Sequence, residues 1–93
     1  MTLHDFHITY ATYWMDQYGT KILFYPPNVA GTSGGMETTY KNGHTIGGTY
    51  TLRQENGKWY LGWSGKEFLF SPTNEGFKLF MGDTEAYNFT TPL

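Results

Sequence analysis

The sequence predicts an all-β domain, a small antiparallel barrel of about eight short strands in meander order, with a two-sheet sandwich as the alternative. Three observations predict it. The stretch from Gly47 to Ser71, GGTYTLRQENGKWYLGWSGKEFLFS, alternates apolar and polar residues through three runs separated by Asn56-Gly57 and Ser64-Gly65. Other short runs rich in Thr, Tyr, Phe and Ile recur at roughly 8 to 12 residues, the spacing of hairpin-linked strands. No segment shows a helical period of convincing length or an internal repeat. The barrel is preferred because tight turns pair sequential neighbours, and closing such a meander removes its exposed edges. The 93 residues make one domain, residues 1–93, since a chain of this size cannot divide its core in two.

Phe6 to Trp14 alternates as a strand at Phe6, Ile8, Tyr10, Thr12 and Trp14, although Phe6, Tyr10 and Tyr13 also fall at helical spacing. Its Thr and aromatic content decides for a strand. Lys21 to Tyr25, KILFY, is the next, stopped by Pro26-Pro27, which removes two backbone donors. Pro26 to Gly35 reads as a mobile Gly-rich loop and a contact element. Met36 to Tyr40 follows as a strand, with Asn42-Gly43 as a type I′ signal pairing Lys41 with His44 and Thr39 with Ile46. Gly47-Gly48 predicts a bulge or bend in the returning strand.

Asn56-Gly57 is the strongest turn signal, because a type I′ turn needs positive φ at both central residues. It places Glu55 opposite Lys58, Arg53 opposite Tyr60, Leu52 opposite Leu61 and Tyr50 opposite Trp63. Ser64-Gly65 likewise sets Leu61 against Phe68, Tyr60 against Leu69 and Trp59 against Phe70. One face of this meander then carries Tyr50, Leu52, Trp59, Leu61, Trp63, Phe68 and Phe70 into the core, and the other carries Arg53, Tyr60 and Leu69 outward on a Thr-rich surface. Beyond the loop at Pro72 to Gly76 lie a strand at Phe77 to Met81, a turn at Gly82-Asp83 and a last strand at Glu85 to Thr90.

The net charge of −2, with one arginine and five lysines spread along the chain, is a poor footprint for nucleic acid, whose phosphates demand clustered cations. The absence of cysteine removes disulfides, thiolate nucleophiles and Cys-based zinc sites. No apolar run approaches a membrane span and the N-terminus lacks signal-peptide character, so a cytoplasmic location is the expectation, with secretion left open. No membrane, cofactor or metal is expected, and an oligomer is allowed.

Candidate chemistry is thin. Gly31-Thr32-Ser33-Gly34-Gly35 fits G-x-S-x-G in form, but a nucleophile elbow needs a strand before it and a helix after it. His4 and His7 fall on opposite sides of a strand, which disfavours a metal site. The carboxylates Asp5, Asp16, Glu37, Glu55, Glu67, Glu75, Asp83 and Glu85 are dispersed, and Glu55 opposite Lys58 reads as a hairpin-end ion pair. The expectation is therefore a non-catalytic binding protein. The first reading is a protein-interaction module, a small inhibitor or accessory subunit, that meets its partner through Arg53, Tyr60 and Leu69 with Thr32 and Ser33 from the Gly-rich loop. The alternative is a small-molecule or carbohydrate-binding barrel, lectin-like, using Tyr50 and Trp63 at its mouth. A hydrolase is the last reading, with no catalytic residue assigned.

Overall fold

A computed structural model describes residues 2–63 and 65–91. Among these residues eight strands close into one antiparallel barrel in sequence order, preceded by a single short helix. The elements are α1 (Leu3–Tyr10), β1 (Tyr13–Met15), β2 (Lys21–Pro27), β3 (Gly34–Thr39), β4 (Thr45–Glu55), β5 (Lys58–Trp63), β6 (Lys66–Pro72), β7 (Gly76–Met81) and β8 (Thr84–Thr90). Closure resolves the choice between barrel and sandwich.

The central meander has the register expected from its turns. Asn56 and Gly57 both take positive φ, at 52° and 77°, and β4 meets β5 with Glu55 opposite Lys58 and Tyr50 opposite Trp63. β5 and β6 pair Leu61 with Phe68 and Tyr60 with Leu69; Ser64 of the turn between them lies outside the described residues. Tyr50, Leu61, Phe68 and Phe70 are buried, and Leu52, Trp59 and Trp63 pack against them. A one-residue slip would have turned this whole set outward.

The N-terminal segment is a helix, not the expected strand. Thr2 Oγ1 accepts from Asp5 N while Asp5 Oδ2 accepts from Thr2 N, each at 3.1 Å. This reciprocal capping box satisfies two donors that a helix start otherwise leaves without partners. The buried positions are then Leu3 and Phe6, with Tyr10 packed against the core, at spacings of three and four. Ile8, which a strand would have turned inward with Phe6, is 77% exposed. Helical pitch rather than alternation decides which side chains reach the core.

Four further expectations are corrected. β2 does not stop at Tyr25 but continues through Pro26 and Pro27 across a register shift between Phe24 and Pro27, an irregularity where the missing proline donors disturb no regular ladder. The stretch expected to be a mobile loop is a compact turn at 28–33. There Asn28 Oδ1 accepts from Thr32 N at 2.9 Å and Asn28 N donates to Ser33 O at 2.8 Å. The Asn42-Gly43 hairpin is one residue off the expected register, with Thr39 opposite Thr45 and Thr38 opposite Ile46. Only Gly43 takes positive φ, while Asn42 Oδ1 accepts from His44 N at 2.9 Å, so the loop has three residues and ends in a left-handed glycine. Gly47 and Gly48 pair with Glu37 and Met36 without a register shift, so no bulge forms there.

An up-and-down barrel sends alternate turns to opposite ends. The turns β1–β2, β3–β4, β5–β6 and β7–β8 gather at one end, the mouth, while α1 and the other three turns lie at the base. α1 seals that base. The fully buried Phe6 ring lies 5.1 Å from Phe24, 5.5 Å from Phe70 and 5.9 Å from Tyr50, centroid to centroid. β1 has only three residues and meets β8 at Met15 opposite Thr90. Beyond that bridge the Gln17 side chain continues the seam, accepting from Asn88 N at 2.9 Å and donating to Ala86 O at 3.3 Å.

Candidate functional site

The mouth is built on the β1–β2 turn. Asp16 N donates to Thr20 O at 2.9 Å, and Asp16 Oδ1 accepts from Tyr18 N at 2.9 Å and from Thr20 N at 2.8 Å. Those bonds are what an Asp offers a turn, a side-chain acceptor for amides that cannot reach a strand partner. They use one carboxylate oxygen. The residue is only 7% exposed, and its Oδ2 is buried without a donor among the described residues.

Beside this carboxylate lies a cavity of about 280 Å³ bounded by Asp16, Tyr18 and Thr20 from the turn, Tyr40 from the end of β3, Trp63 and Lys66 beside the β5–β6 turn, and Phe68 and Tyr87 from the walls. Alternation along β5, β6 and β8 places Trp63, Phe68 and Tyr87 on the inner face. Their rings touch: Trp63 is 5.0 Å from Tyr87, and Phe68 is 5.6 Å from Tyr87, between centroids. Phe89, fully buried, lies beneath at 6.0 Å from Trp63. Burial raises the Tyr87 hydroxyl pKa, and the nearby Asp16, Tyr18 and Tyr40 raise it further, so the phenol stays protonated near neutral pH. The only cationic side chain among the lining residues, Lys66, is exposed and forms no ion pair among the described residues.

The chain matches no known family model, curated protein or solved structure.

A wider groove of about 720 Å³ runs at the base past Tyr10, Trp14 and Gly76. It is more open, and the Trp14 indole N–H that could have faced it is spent on Tyr10 O at 3.0 Å. The two aromatics assigned to a mouth separate: Trp63 lines the cavity, whereas Tyr50 is fully buried toward the base and donates its hydroxyl to Tyr25 O at 2.7 Å. Burial raises the Tyr50 pKa accordingly.

On the outer face the row Arg53, Tyr60 and Leu69 forms, with the Arg53 guanidinium 4.7 Å from the Tyr60 ring centroid. Its charge is already shared. Arg53 Nε and Nη2 donate to the two oxygens of Glu67 at 2.9 Å each, and Nη1 reaches Glu55 Oε2 at 3.0 Å. The hydrogen bonds from Arg53 hold the Glu67 carboxyl below its ordinary value. Glu55 therefore pairs with Arg53 along its own strand rather than with Lys58 across the hairpin. Thr32 and Ser33 sit in the Asn28 turn at the base, with Thr32 Oγ1 accepting from Asn28 Nδ2 at 2.8 Å. Ser33 leads into β3, not into a helix, so the G-x-S-x-G stretch lacks the geometry of a nucleophile elbow.

Asp16, Tyr18, Tyr40 and Tyr87 were not legible as site residues, because they come from three distant stretches of the chain and three of them sit at strand ends or turns. One signal was available: in a meander, residues flanking odd-numbered turns share an end. Trp63 at the third such turn and Asp16 at the first follow from that rule.

Proposed function

We propose that this is a binding protein that takes a small molecule in the mouth of its barrel. The observation that carries the reading is the buried, donor-less Asp16 Oδ2 beside an aromatic-walled cavity. A buried acceptor without a partner costs about 1–3 kcal/mol, and more when it is charged. The turn needs only Oδ1. The second oxygen is explained if a ligand supplies the missing donor, while Trp63, Tyr87 and Tyr40 line the cavity with aromatic side chains that can pack on its apolar surface. At roughly 30 Å³ per water-sized share of volume, 280 Å³ accommodates one compact metabolite rather than a chain.

The experiment is an amide-resolved NMR screen of small metabolites, read as chemical-shift changes on the assigned protein. Shifts are expected to cluster at Tyr18, Thr20, Tyr40, Lys66 and Tyr87. The protein-interaction reading predicts the opposite pattern: no small molecule moves the mouth, and a partner captured from the native host moves Arg53, Tyr60 and Leu69. That partner would have to share or displace the Glu67 and Glu55 carboxylates, so its binding would be lost in Tyr60→Ala while the fold remains.

A further inference from the structure

We infer that the ligand is a compact zwitterion of the α-amino-acid type, its ammonium group held by Asp16 inside the mouth and its carboxylate facing Lys66 at the rim. The inference rests on the small-molecule reading above and narrows it to one chemical class.

The charge pattern of the lining supports it. Asp16 is the only carboxylate that bounds the cavity, it is nine-tenths buried, and its Oδ2 has no donor among the described residues, whereas Oδ1 is already held by the Tyr18 and Thr20 amides. A buried carboxylate is best compensated by a cation that both donates and neutralises. The surrounding walls suit such a cation, since four of the lining residues, Tyr18, Tyr40, Trp63 and Tyr87, are aromatic, and aromatic rings attract ammonium groups. Lys66 does not itself supply the compensation, as no ion pair joins it to Asp16.

Lys66 also sets the other end of the ligand. A bare amine entering past an exposed ammonium meets like-charge repulsion, whereas a molecule carrying a carboxylate behind its amine turns that repulsion into attraction. A neutral sugar fits the volume and the rings but leaves both charges without a counterpart. Acid inside, base at the rim and aromatic walls between them match ammonium, carboxylate and apolar side chain.

The test titrates the assigned protein with a panel of L-amino acids (alanine, leucine, phenylalanine). The best binder is then compared with its decarboxylated amine, its α-hydroxy acid and glucose. The amino acid is expected to bind tightest with shifts confined to the mouth. The amine should bind more weakly, and the hydroxy acid and glucose at least tenfold more weakly. Asp16→Asn keeps an Oδ1 acceptor for the turn but loses the charge, and should weaken amino-acid binding at least tenfold. Lys66→Gln should narrow the gap between amino acid and amine. Equal or tighter binding of the hydroxy acid or glucose would overturn the zwitterion while leaving the mouth as a small-molecule site. So would an amino acid that binds Asp16→Asn unchanged. If no panel member moves the mouth, the amino-acid class is wrong, and a broad metabolite screen that also fails there would remove the mouth reading itself. Should Asp16→Asn not fold, the ligand series on the native protein and Lys66→Gln still decide.

Discussion

Single atoms of one residue meet different structural demands in this chain. Asp16 shows it at the mouth, where Oδ1 makes the turn and Oδ2 is surplus to it. Gly34 shows the reverse case at the base: a glycine that reads as loop flexibility is in fact a packing requirement. A Cβ on Gly34 would come within 2.5 Å of the Tyr50 ring, which is fully buried against that strand. Gly34→Ala is therefore expected to destabilise by about 1–3 kcal/mol, the usual penalty for forcing a methyl into a filled core. Gly47, whose Cβ would meet nothing within 4 Å, is the internal control, and Gly47→Ala should stay within about 0.5 kcal/mol of the parent. Urea melts of the two variants check both, with the difference expected in the midpoint and not in the slope. Equal melts would remove the assignment of Gly34 to the Tyr50 contact.

Among the elements, α1 closes the base as a lid rather than adding length to the first strand. Its eight residues are too few to hold a helix in water by propensity, so tertiary packing and the cap must stabilise it. Phe6→Ala should cost about 3–5 kcal/mol, as for other large aromatic deletions from a closed core, and Thr2→Ala about 1 kcal/mol through the lost cap. Denaturation curves give both magnitudes, and a Phe6→Ala loss below 1 kcal/mol would show that the barrel closes without its helix. The strand expectation rested on the Thr and aromatic content of Phe6 to Trp14, which cannot register the cap that Thr2 and Asp5 form, and short apolar runs satisfy both periods, so that only the partner surface chooses between them. The two Asn-Gly dipeptides make a similar point. Asn56 enters the left-handed region, whereas Asn42 spends its side chain on His44 N, and Tyr40 stacks on His44 at 6.3 Å. Identical dipeptides gave different loop lengths because local side-chain bonds compete with the turn.

For the molecule as a whole, strand order, the central register and the inward aromatics were legible, since each follows from alternation and from turns within one stretch of chain. The site was less so. Its carboxylate, its rings and its lysine come from the first, second and third mouth turns and from β8, and only closure brings them to one place. Closure itself depends on the weakest join in the barrel. Every other ladder links neighbours in sequence, but Met15 meets Thr90 across nearly the whole chain, and the Gln17 amide is what extends that join. Hairpins form early because their loops are short, whereas a contact of such long separation must first overcome the entropy of closing the ring. The seam is therefore expected to zip last. Gln17→Ala should then speed unfolding with little change in folding rate, the signature of an interaction absent from the transition state, and stopped-flow chevrons would show it. A slower folding limb instead would place the seam in the nucleus. Asp16 is the neighbour of Gln17 and lines the same cavity as Tyr87 on β8. A molecule bound between them would act as a removable rivet across the last-formed join, lengthening the lifetime of the closed ring while leaving the time taken to form it almost unchanged.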